Sequence, residues 1–279
     1  MKFFLPSNKK IYFASDLHLT TIDDERSRLR EREFVGWLER VRTDAAAVFL
    51  LGDIFDFWFE YRYVVPRGFV RLLGKLAELT DSGISIFYFT GNHDRWMRDY
   101  FSKELHITVF RKHEEFDING KLFFLGHGHE VGFYRRIDKL LNYMFGSSFL
   151  RTLFAAIHPR WGYALGKNWS YRHLKQKAIV KPAGGHQNDP IFKYAKKMLA
   201  EKRYDFFVFG HKHLAADIQI GENSRYINTG EWIENGSYAV YDGKEMTVYP
   251  AANLMQFFAK QMNKFFASTV VFQENAGKG

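Results

Sequence analysis

The sequence predicts an α/β fold arranged as a layered sandwich with an inserted helical block. Three observations lead there. Short apolar runs alternate with helix-period stretches over the first 130 residues or so; that pattern stops between residues 133 and 203; and strand-like runs resume at Phe206 and continue to about residue 250. A βαβαβ rhythm places parallel strands beside crossover helices, and a strand pattern that resumes after a break places the break within one domain.

The elements follow in order. Ile11-Tyr12-Phe13-Ala14-Ser15, Ala47-Val48-Phe49-Leu50-Leu51 and Ile84-Ser85-Ile86-Phe87-Tyr88-Phe89 are near-continuous apolar runs, as strands buried on both faces require. Between them, residues 25–41 carry Leu29, Phe34 and Leu38 at helical spacing, and residues 69–80 carry Leu72, Leu76 and Leu79. Residues 116–125 read as a hairpin about Asn119-Gly120, a pair that accepts the positive φ angles of a tight turn. Phe206 to Phe209 and the stretch from Arg225 to Tyr249 complete the strands. The organisation expected is a domain over residues 1–250, with a helical cap inserted at about 133–203 and an amphipathic tail over 251–279. In that tail Leu254, Phe257, Phe258, Met262, Phe265 and Phe266 recur at helical spacing, which suits a helix docked on protein or lying on an anionic membrane surface.

Composition narrows the function classes. Apolar residues at 46% and charged residues at 25% are those of a globular protein. The absence of cysteine excludes a disulfide scaffold, a thiol nucleophile and any thiolate-held zinc or iron–sulfur group. The four-residue apolar patch near Met1 is too short for a signal-peptide core, and no run approaches a membrane span, so a cytoplasmic protein is expected. The net charge is +9, and residues 133–203 alone carry 15 Lys and Arg against 3 Asp and Glu. The rest of the chain is therefore net acidic. A charge so concentrated points to an anionic partner met at the inserted block.

Five polar clusters stand at the ends of the apolar runs: Asp16-Leu17-His18, Gly52-Asp53-Ile54-Phe55-Asp56, Gly91-Asn92-His93-Asp94, Gly126-His127-Gly128-His129 and Gly210-His211-Lys212-His213. Sites in open α/β sheets form at the carboxyl ends of strands, so these clusters are expected to converge. Asp16, His18, Asp53, Asn92, His127, His211 and His213 offer carboxylate, imidazole and amide groups. Such a set exceeds the needs of one tetrahedral ion and suits two octahedral ions sharing a ligand, with manganese favoured and iron or zinc accommodated. Taken singly, D-x-H, G-D and G-N-H-D have plainer readings as turns, helix caps or loop residues, while G-H-x-H is moderately specific because alternate residues of an extended segment share a face. Jointly, the plain reading needs five coincidences, all at strand ends. His106, His113, His158, His173 and His186 fall outside the pattern and read as surface or core histidines.

The ordered series D-x-H, G-D, G-N-H-D, G-H, G-H-x-H resembles the calcineurin-like metallophosphoesterases, over residues 11 to about 249. The resemblance implies a four-layer αββα sandwich. It also implies that Asp16, His18, Asp53 and His213 hold one divalent ion and that Asp53, Asn92, His127 and His211 hold the other, with Asp53 bridging. His93 would serve as proton donor to the leaving group, oriented by Asp94.

The inserted block mixes Arg135, Arg136, Lys139, Arg151 and Arg160 with Phe149, Leu153, Phe154, Trp161 and Leu165. One reading packs amphipathic helices on the sandwich; the other makes a cap with an apolar groove facing the metals and a cationic rim. A core with a basic helical cap resembles the UDP-2,3-diacylglucosamine diphosphatases, which cleave a nucleotide–lipid diphosphate to a lipid monophosphate and UMP. That resemblance implies an anionic nucleotide-lipid substrate, bound with help from Asn168, Ser170, Arg172 and Lys175, and peripheral contact with the cytoplasmic face of the inner membrane. The chain departs from the better-known branch at His93, where that branch carries Arg, and at His129, where an Asp commonly stands. The alternatives are a phosphodiesterase or nuclease using the same metals, with aromatic and basic groups on a nucleic acid, and a non-enzymatic scaffold. The aliphatic content of the block speaks against nucleic acid, and the complete ligand series against a scaffold.

Overall fold

Alternate residues of the central strands are buried on opposite sides, and that period of two generates the layers. The computed structural model describes residues 1–20, 25–131, 147–166, 188–234 and 236–251. One six-stranded sheet has β2 (Lys10–Ala14), β3 (Ala45–Leu50), β4 (Ser85–Phe89) and β5 (Thr108–Phe110) in parallel, with β11 (Ser237–Tyr241) and β12 (Met246–Pro250) antiparallel at its far edge. The other contains β1 (Lys2–Phe3), β6 (Glu114–Ile118), β7 (Lys121–Leu125), β8 (Phe206–Phe209), β9 (Ala216–Gly221) and β10 (Ser224–Asn228), in the order β1-β6-β7-β8-β10-β9.

Ile11, Phe13, Ala47, Phe49, Phe87 and Phe89 meet Phe116, Ile118, Phe123, Leu125, Phe206 and Val208 between the sheets. The intervening residues Tyr12, Ala14, Val48, Leu50, Ile86 and Tyr88 face outward, onto α1 (Glu25–Val41) and α2 (Val70–Asp81). On the opposite side Phe124, Phe207, Phe209 and Tyr226 pack on Ile191, Phe192 and Ala195 of a further helix, Pro190–Glu201. The architecture is thus the expected αββα sandwich. More than half of the 29 phenylalanines are buried core residues, so the aromatic richness belongs largely to the core. Each such ring is worth about 1.5–3 kcal/mol when withdrawn from water, enough to fix the stacking of the sheets.

The strands and helices expected from the sequence are found, and the Asn119-Gly120 turn has φ 51° and 83°, as a tight hairpin demands. Short elements with few residues to carry a period were not foreseen, namely β1, β5 and α3 (Tyr100–Glu104), nor was β9, a six-residue strand with one buried residue and so no apolar run. Within the inserted block, the described residues contain α4 (Ser148–Ala155), a helical segment over 159–166, and α5 (Pro190–Glu201). Helix α5 supplies the outer layer on the second sheet, and α4 with 159–166 lies beside the strand-end loops. The tail over 252–279 lies outside the described residues.

Candidate metal centre

The strand-end loops are drawn together by main-chain hydrogen bonds. Asp16 N–H donates to the Gly52 carbonyl at 3.0 Å, His18 N–H to Asp53 at 3.0 Å, Gly210 N–H to His127 at 3.1 Å and Trp232 N–H to Asp16 at 3.1 Å. Close approach demands glycine at two positions. A Cβ on Gly91 would stand 2.1 Å from Asp53 Oδ1, and one on Gly210 would stand 2.4 Å from Ser15 Oγ and 2.6 Å from Asp16 Oδ2. The Gly that opens these motifs is thus a spatial requirement of the carboxylate beside it.

Asp16, His18, Asp53, His211 and His213 all have left-handed backbone, with φ of 56°, 48°, 52°, 70° and 55°. The expectation that His211 and His213 share a face of an extended segment is therefore corrected. D-x-H and H-x-H both carry left-handed backbone at their first and third residues; Asp16 and His18 meet in one group, whereas His211 joins Asp53 and His127 and His213 joins Asp16 and His18. Asp and His tolerate this region better than most residues, but it is still strained.

Six of the seven candidate ligands form two neighbouring groups. Asp16, His18 and His213 place ligand atoms within 4.8 Å of one another, as do Asp53, His127 and His211. Asp53 Oδ2 lies 3.2 Å from His127 Nε2 and 3.8 Å from His18 Nε2, so this carboxylate stands between the groups, the position expected of a bridge. Asn92 follows Gly91 at the edge, its Oδ1 buried.

Three buried oxygens, Asp16 Oδ1, Asp53 Oδ2 and Asn92 Oδ1, accept no hydrogen bond. The imidazole nitrogens oppose each other as well: His18 Nε2 is 3.1 Å from His213 Nε2, and His211 Nδ1 is 3.2 Å from His127 Nε2. Converging lone pairs of this kind are costly unless a cation lies between them. The donor set of oxygens and imidazoles without sulfur fits hard-to-borderline divalent ions. The residues present therefore fit a two-metal group.

The opposite edges of His18, His127, Asp16 and Asp53 are fixed. His18 Nδ1 lies 2.9 Å from Asp56 Oδ1, and His127 Nδ1 lies 2.7 Å from the Leu51 carbonyl, which leaves each Nε2 directed at the centre. Asp16 Oδ2 accepts from Ser15 Oγ at 2.5 Å and His211 N–H at 2.8 Å, while Asp53 Oδ1 accepts from His93 N–H at 2.9 Å. Asp56, Ser15 and Thr229, whose Oγ1 is 2.7 Å from Ser15 Oγ, were not assigned roles from sequence. For Asp56 there was a signal, a second carboxylate within the Gly52–Asp56 cluster; for Ser15 and Thr229 there was none.

The electrostatics agree. Burial would raise the Asp16 carboxyl, but the charge of His213, with His18 and His127 nearby, holds it well below the usual carboxylate range. Asp53 behaves likewise through His127, His93 and His18. Burial alone would lower His18 and His127, yet Asp16, Asp56 and Asp53 raise the first to about 9, and Asp53 with Asp16 raises the second to about 9.

The ring of His93 lies 4.9 Å from that of His18, and its Nδ1 lies 3.0 Å from the Asp56 carbonyl. The expected role of Asp94 in orienting it is corrected. Asp94 Oδ2 accepts from Tyr88 at 2.5 Å and Ile54 N–H at 2.9 Å, and Oδ1 from Gly91 N–H at 2.7 Å, so it locks the loops that carry Asp53 and Asn92. Burial, then the charge of Asp53, raises Asp94 to about 6. His129 is buried beside the centre, its ring 5.4 Å from that of His127 and its Nδ1 3.2 Å from Glu130 Oε2. Asn168, Ser170, Arg172 and Lys175 lie outside the described residues.

An apolar cavity of about 200 Å³ opens against the centre, with Asn92 and His93 on one side and Phe57, Trp96, Phe154 and Leu165 on the other. Phe154 and Leu165 come from the inserted block. Leu153, which the sequence placed alongside Phe154, is 59% exposed and does not line this cavity.

The chain is similar to several known proteins. A UDP-2,3-diacylglucosamine hydrolase of Porphyromonas gingivalis is 41% identical over 254 residues, covering 86% of this chain and 96% of that protein. One of Ectopseudomonas mendocina is 27% identical over 250 residues, covering 86% and 97%. Among solved structures, the Escherichia coli phosphoesterase Yfce aligns with 88% of this chain and 94% of its own at a TM-score of 0.44 and 17% identity. The model of the calcineurin-like phosphoesterases matches residues 9–215, which include every candidate ligand. With two carboxylates, an amide and four imidazoles of that series gathered at the strand ends, the chain belongs to the calcineurin-like phosphoesterase family and is a metal-dependent hydrolase.

Proposed function

We propose that the chain hydrolyses the diphosphate of a UDP-2,3-diacylglucosamine, releasing a lipid monophosphate and UMP. The observation that carries this reading is the apolar cavity on Asn92 and His93, since a site for small nucleotides alone has no use for a wall of Phe57, Trp96, Phe154 and Leu165 next to its metals. The relatives in Porphyromonas gingivalis and Ectopseudomonas mendocina carry a name for that activity, which supports it.

Asp16, His18, Asp53 and His213 would hold one ion, and Asp53, Asn92, His127 and His211 the other; manganese is the ion we propose. Bound there, two divalent ions supply Lewis acidity toward a phosphoryl group and a water made acidic enough to attack at neutral pH. His93, fixed through Nδ1 at the Asp56 carbonyl, presents Nε2 on the substrate side and moves a proton to the departing oxygen. Phe154 and Leu165 exclude water from one flank and hold an acyl chain. Asn168, Ser170, Arg172 and Lys175 are proposed to contact the anionic end. We place the protein on the cytoplasmic face of the inner membrane as a peripheral protein; no helix among the described residues is long and apolar enough to cross a membrane.

The test is hydrolysis by manganese-loaded protein of UDP-2,3-diacylglucosamine against UDP-glucosamine, a nucleotide panel and single-stranded oligonucleotides. The nucleotide-lipid should be preferred, with UMP as product. Phe154→Ala should lower kcat/KM more for long than for short acyl chains, because each methylene withdrawn from water is worth about 0.8 kcal/mol. Equal rates on UDP-glucosamine, or a preference for oligonucleotides, would overturn the assignment.

A further inference from the structure

The helices that the inserted block lays beside the metal centre carry apolar groups on their outer side as well as their inner one. On the inner side of α4 the ring of Phe154 lies 4.7 Å from that of Phe59 and 4.9 Å from that of Trp96. The segment 159–166 turns Gly162 and Gly166 inward, where a Cβ would overlap Tyr61 and Phe154 at the first and the ring of Phe57 at the second. On the outer side Phe149 is 75% exposed, Leu153 59%, Trp161 63% and Leu165 56%. Phe149 and Leu153 stand four residues apart, as do Trp161 and Leu165, so each pair shares one side of its helix. A helix packed on a globular core ordinarily turns polar groups to water on that side.

We infer that this outer face is a membrane-docking surface, which seats on a bilayer of anionic phospholipid and opens the apolar cavity onto it. The inference rests on the nucleotide-lipid reading of the metal centre and adds the surface through which such a lipid arrives. Leu165 joins the two features. It lines the cavity with Phe154 and Gly166, and it is also more than half exposed, so the apolar wall of the cavity runs on into the outer face. Asn92 and His93 stand on the opposite wall. An acyl chain passing from bilayer to cavity thus keeps apolar surroundings up to the edge of the metal centre.

Charge selects the occupant. Residues 147–166 contain Arg151 and Arg160 and neither Asp nor Glu. Arg160 is exposed, its Cζ 5.8 Å from the ring centroid of Trp161. The turn 61–64 adjoins this segment through Tyr61, whose ring is 6.2 Å from that of Tyr163. It adds Tyr63 and Val64, both exposed, with Arg62 over the Tyr63 ring at 5.2 Å. Among the described residues neither Arg62 nor Arg160 enters an ion pair. A second copy of the chain would set this face against its own like charge. The tail over 252–279 would bring Lys260, Lys264 and Lys278 against one acid, Glu274, and so repel it too. An anionic bilayer meets both demands, since aromatic and aliphatic groups settle at the headgroup boundary while arginines lie among the phosphates.

The experiment is co-sedimentation of manganese-loaded full-length protein with vesicles of phosphatidylcholine alone and of phosphatidylcholine with phosphatidylglycerol in equal parts. The wild type should bind the anionic vesicles, less tightly as salt rises. Phe149→Ser and Trp161→Ser should each lower the partition coefficient about tenfold or more, and Arg160→Gln about fivefold on anionic vesicles alone. Phe4→Ser, at an exposed phenylalanine just after edge strand β1 of the second sheet, should change nothing. Every variant should hydrolyse a small chromogenic phosphodiester at the wild-type rate, which shows it folded. Wild-type protein left in the supernatant, or Phe149→Ser and Trp161→Ser proteins that bind as Phe4→Ser does, would overturn the surface. So would loss of binding in Phe257→Ser with none in Phe149→Ser and Trp161→Ser, which would make the tail the anchor. A dimer that Trp161→Ser dissociates, in protein that binds no vesicle, would overturn it as well. Vesicle binding through Phe149 and Trp161 in a protein inert toward the nucleotide-lipid would leave the surface standing and defeat the proposed function. Cleavage of the nucleotide-lipid by protein that binds no vesicle would do the reverse.

Discussion

Replacing Gly91 by alanine tests the tightest contact of the centre. The added Cβ would stand 2.1 Å from Asp53 Oδ1 and 2.5 Å from Asp53 N, whereas ordinary contact begins near 3.4 Å. The loop and the carboxylate must therefore separate by about 1.3 Å, and a displacement of about 1 Å at a reacting centre costs about 10²-fold in rate. Asp53 stands between both ligand groups, so its retreat disturbs both ions at once. Gly91→Ala should lower kcat on a small chromogenic phosphodiester at least about 10²-fold and reduce bound manganese, read by elemental analysis, below two per chain. Gly74→Ala is the matched control. Gly74 lies inside α2 with open space where the methyl would go, so there alanine should stabilise by about 0.5–1 kcal/mol and leave turnover alone. A Gly91→Ala protein with full metal content and wild-type turnover would refute the close approach and with it the placement of Asp53.

Three further outcomes are expected. His93→Ala should retain both metals and slow hydrolysis about 10²–10⁴-fold; loss of a metal would make His93 a ligand. Asp56→Ala removes the carboxylate 2.9 Å from His18 Nδ1 and should weaken metal affinity about 10–100-fold, which a metal-competition titration reads; unchanged affinity would show the ring is oriented by other groups. Metal uptake at pH 7 should release protons, because His18 and His127 are raised to about 9 and are protonated in the metal-free protein. Since these folded values lie above the ordinary 6.5, their contribution to metal-free stability is complete below pH 6.5 and lost as pH rises through about 9, while metal affinity climbs over the same window. Calorimetry in buffers of different ionisation enthalpy measures the released protons, and none released would contradict the protonation states.

The layers and the ligand set were legible because each has a local signature. Strands buried on both faces leave runs such as Ala47 to Leu51, and the α1 stripe of Phe34 and Leu38 has a helical period. The ligands were legible because they end those runs. Ser15, Thr229 and the partners of Asp94 were not, since their roles arise from the meeting of strands more than 200 residues apart in the case of Ser15 and Thr229. Asp94 illustrates the limit well. Its neighbour in sequence is His93, but its neighbours in space are Tyr88, Ile54 and Gly91, and the spatial neighbours decide what it does. The backbone conformation of Asp16, His18, His211 and His213 was likewise invisible, because positive φ at Asp or His carries no sequence mark of the kind glycine gives.

That conformation bears on why the centre exists at all. Five candidate ligands in the left-handed region cost on the order of 1 kcal/mol each, and Asp16 and Asp53 are carboxylates with no exposure to water. A fold that holds such strain and such charge must recover it from contacts elsewhere or from whatever the centre binds. The contacts are visible: the Phe-rich layer beneath the loops, and the main-chain bonds from Asp16, His18 and Gly210 that cross between strand ends. They hold the ligands in place without satisfying them, since Asp16 Oδ1, Asp53 Oδ2 and Asn92 Oδ1 still accept nothing. A scaffold under no demand for chemistry would relax each of these: glycine at the strained positions, amide or aliphatic groups in place of the buried acids. Here five of the eight described non-glycine residues at positive φ are candidate ligands, and Asp16 and Asp53 each have the second oxygen tied down, which is the arrangement a preorganised metal site requires and a merely stable one does not.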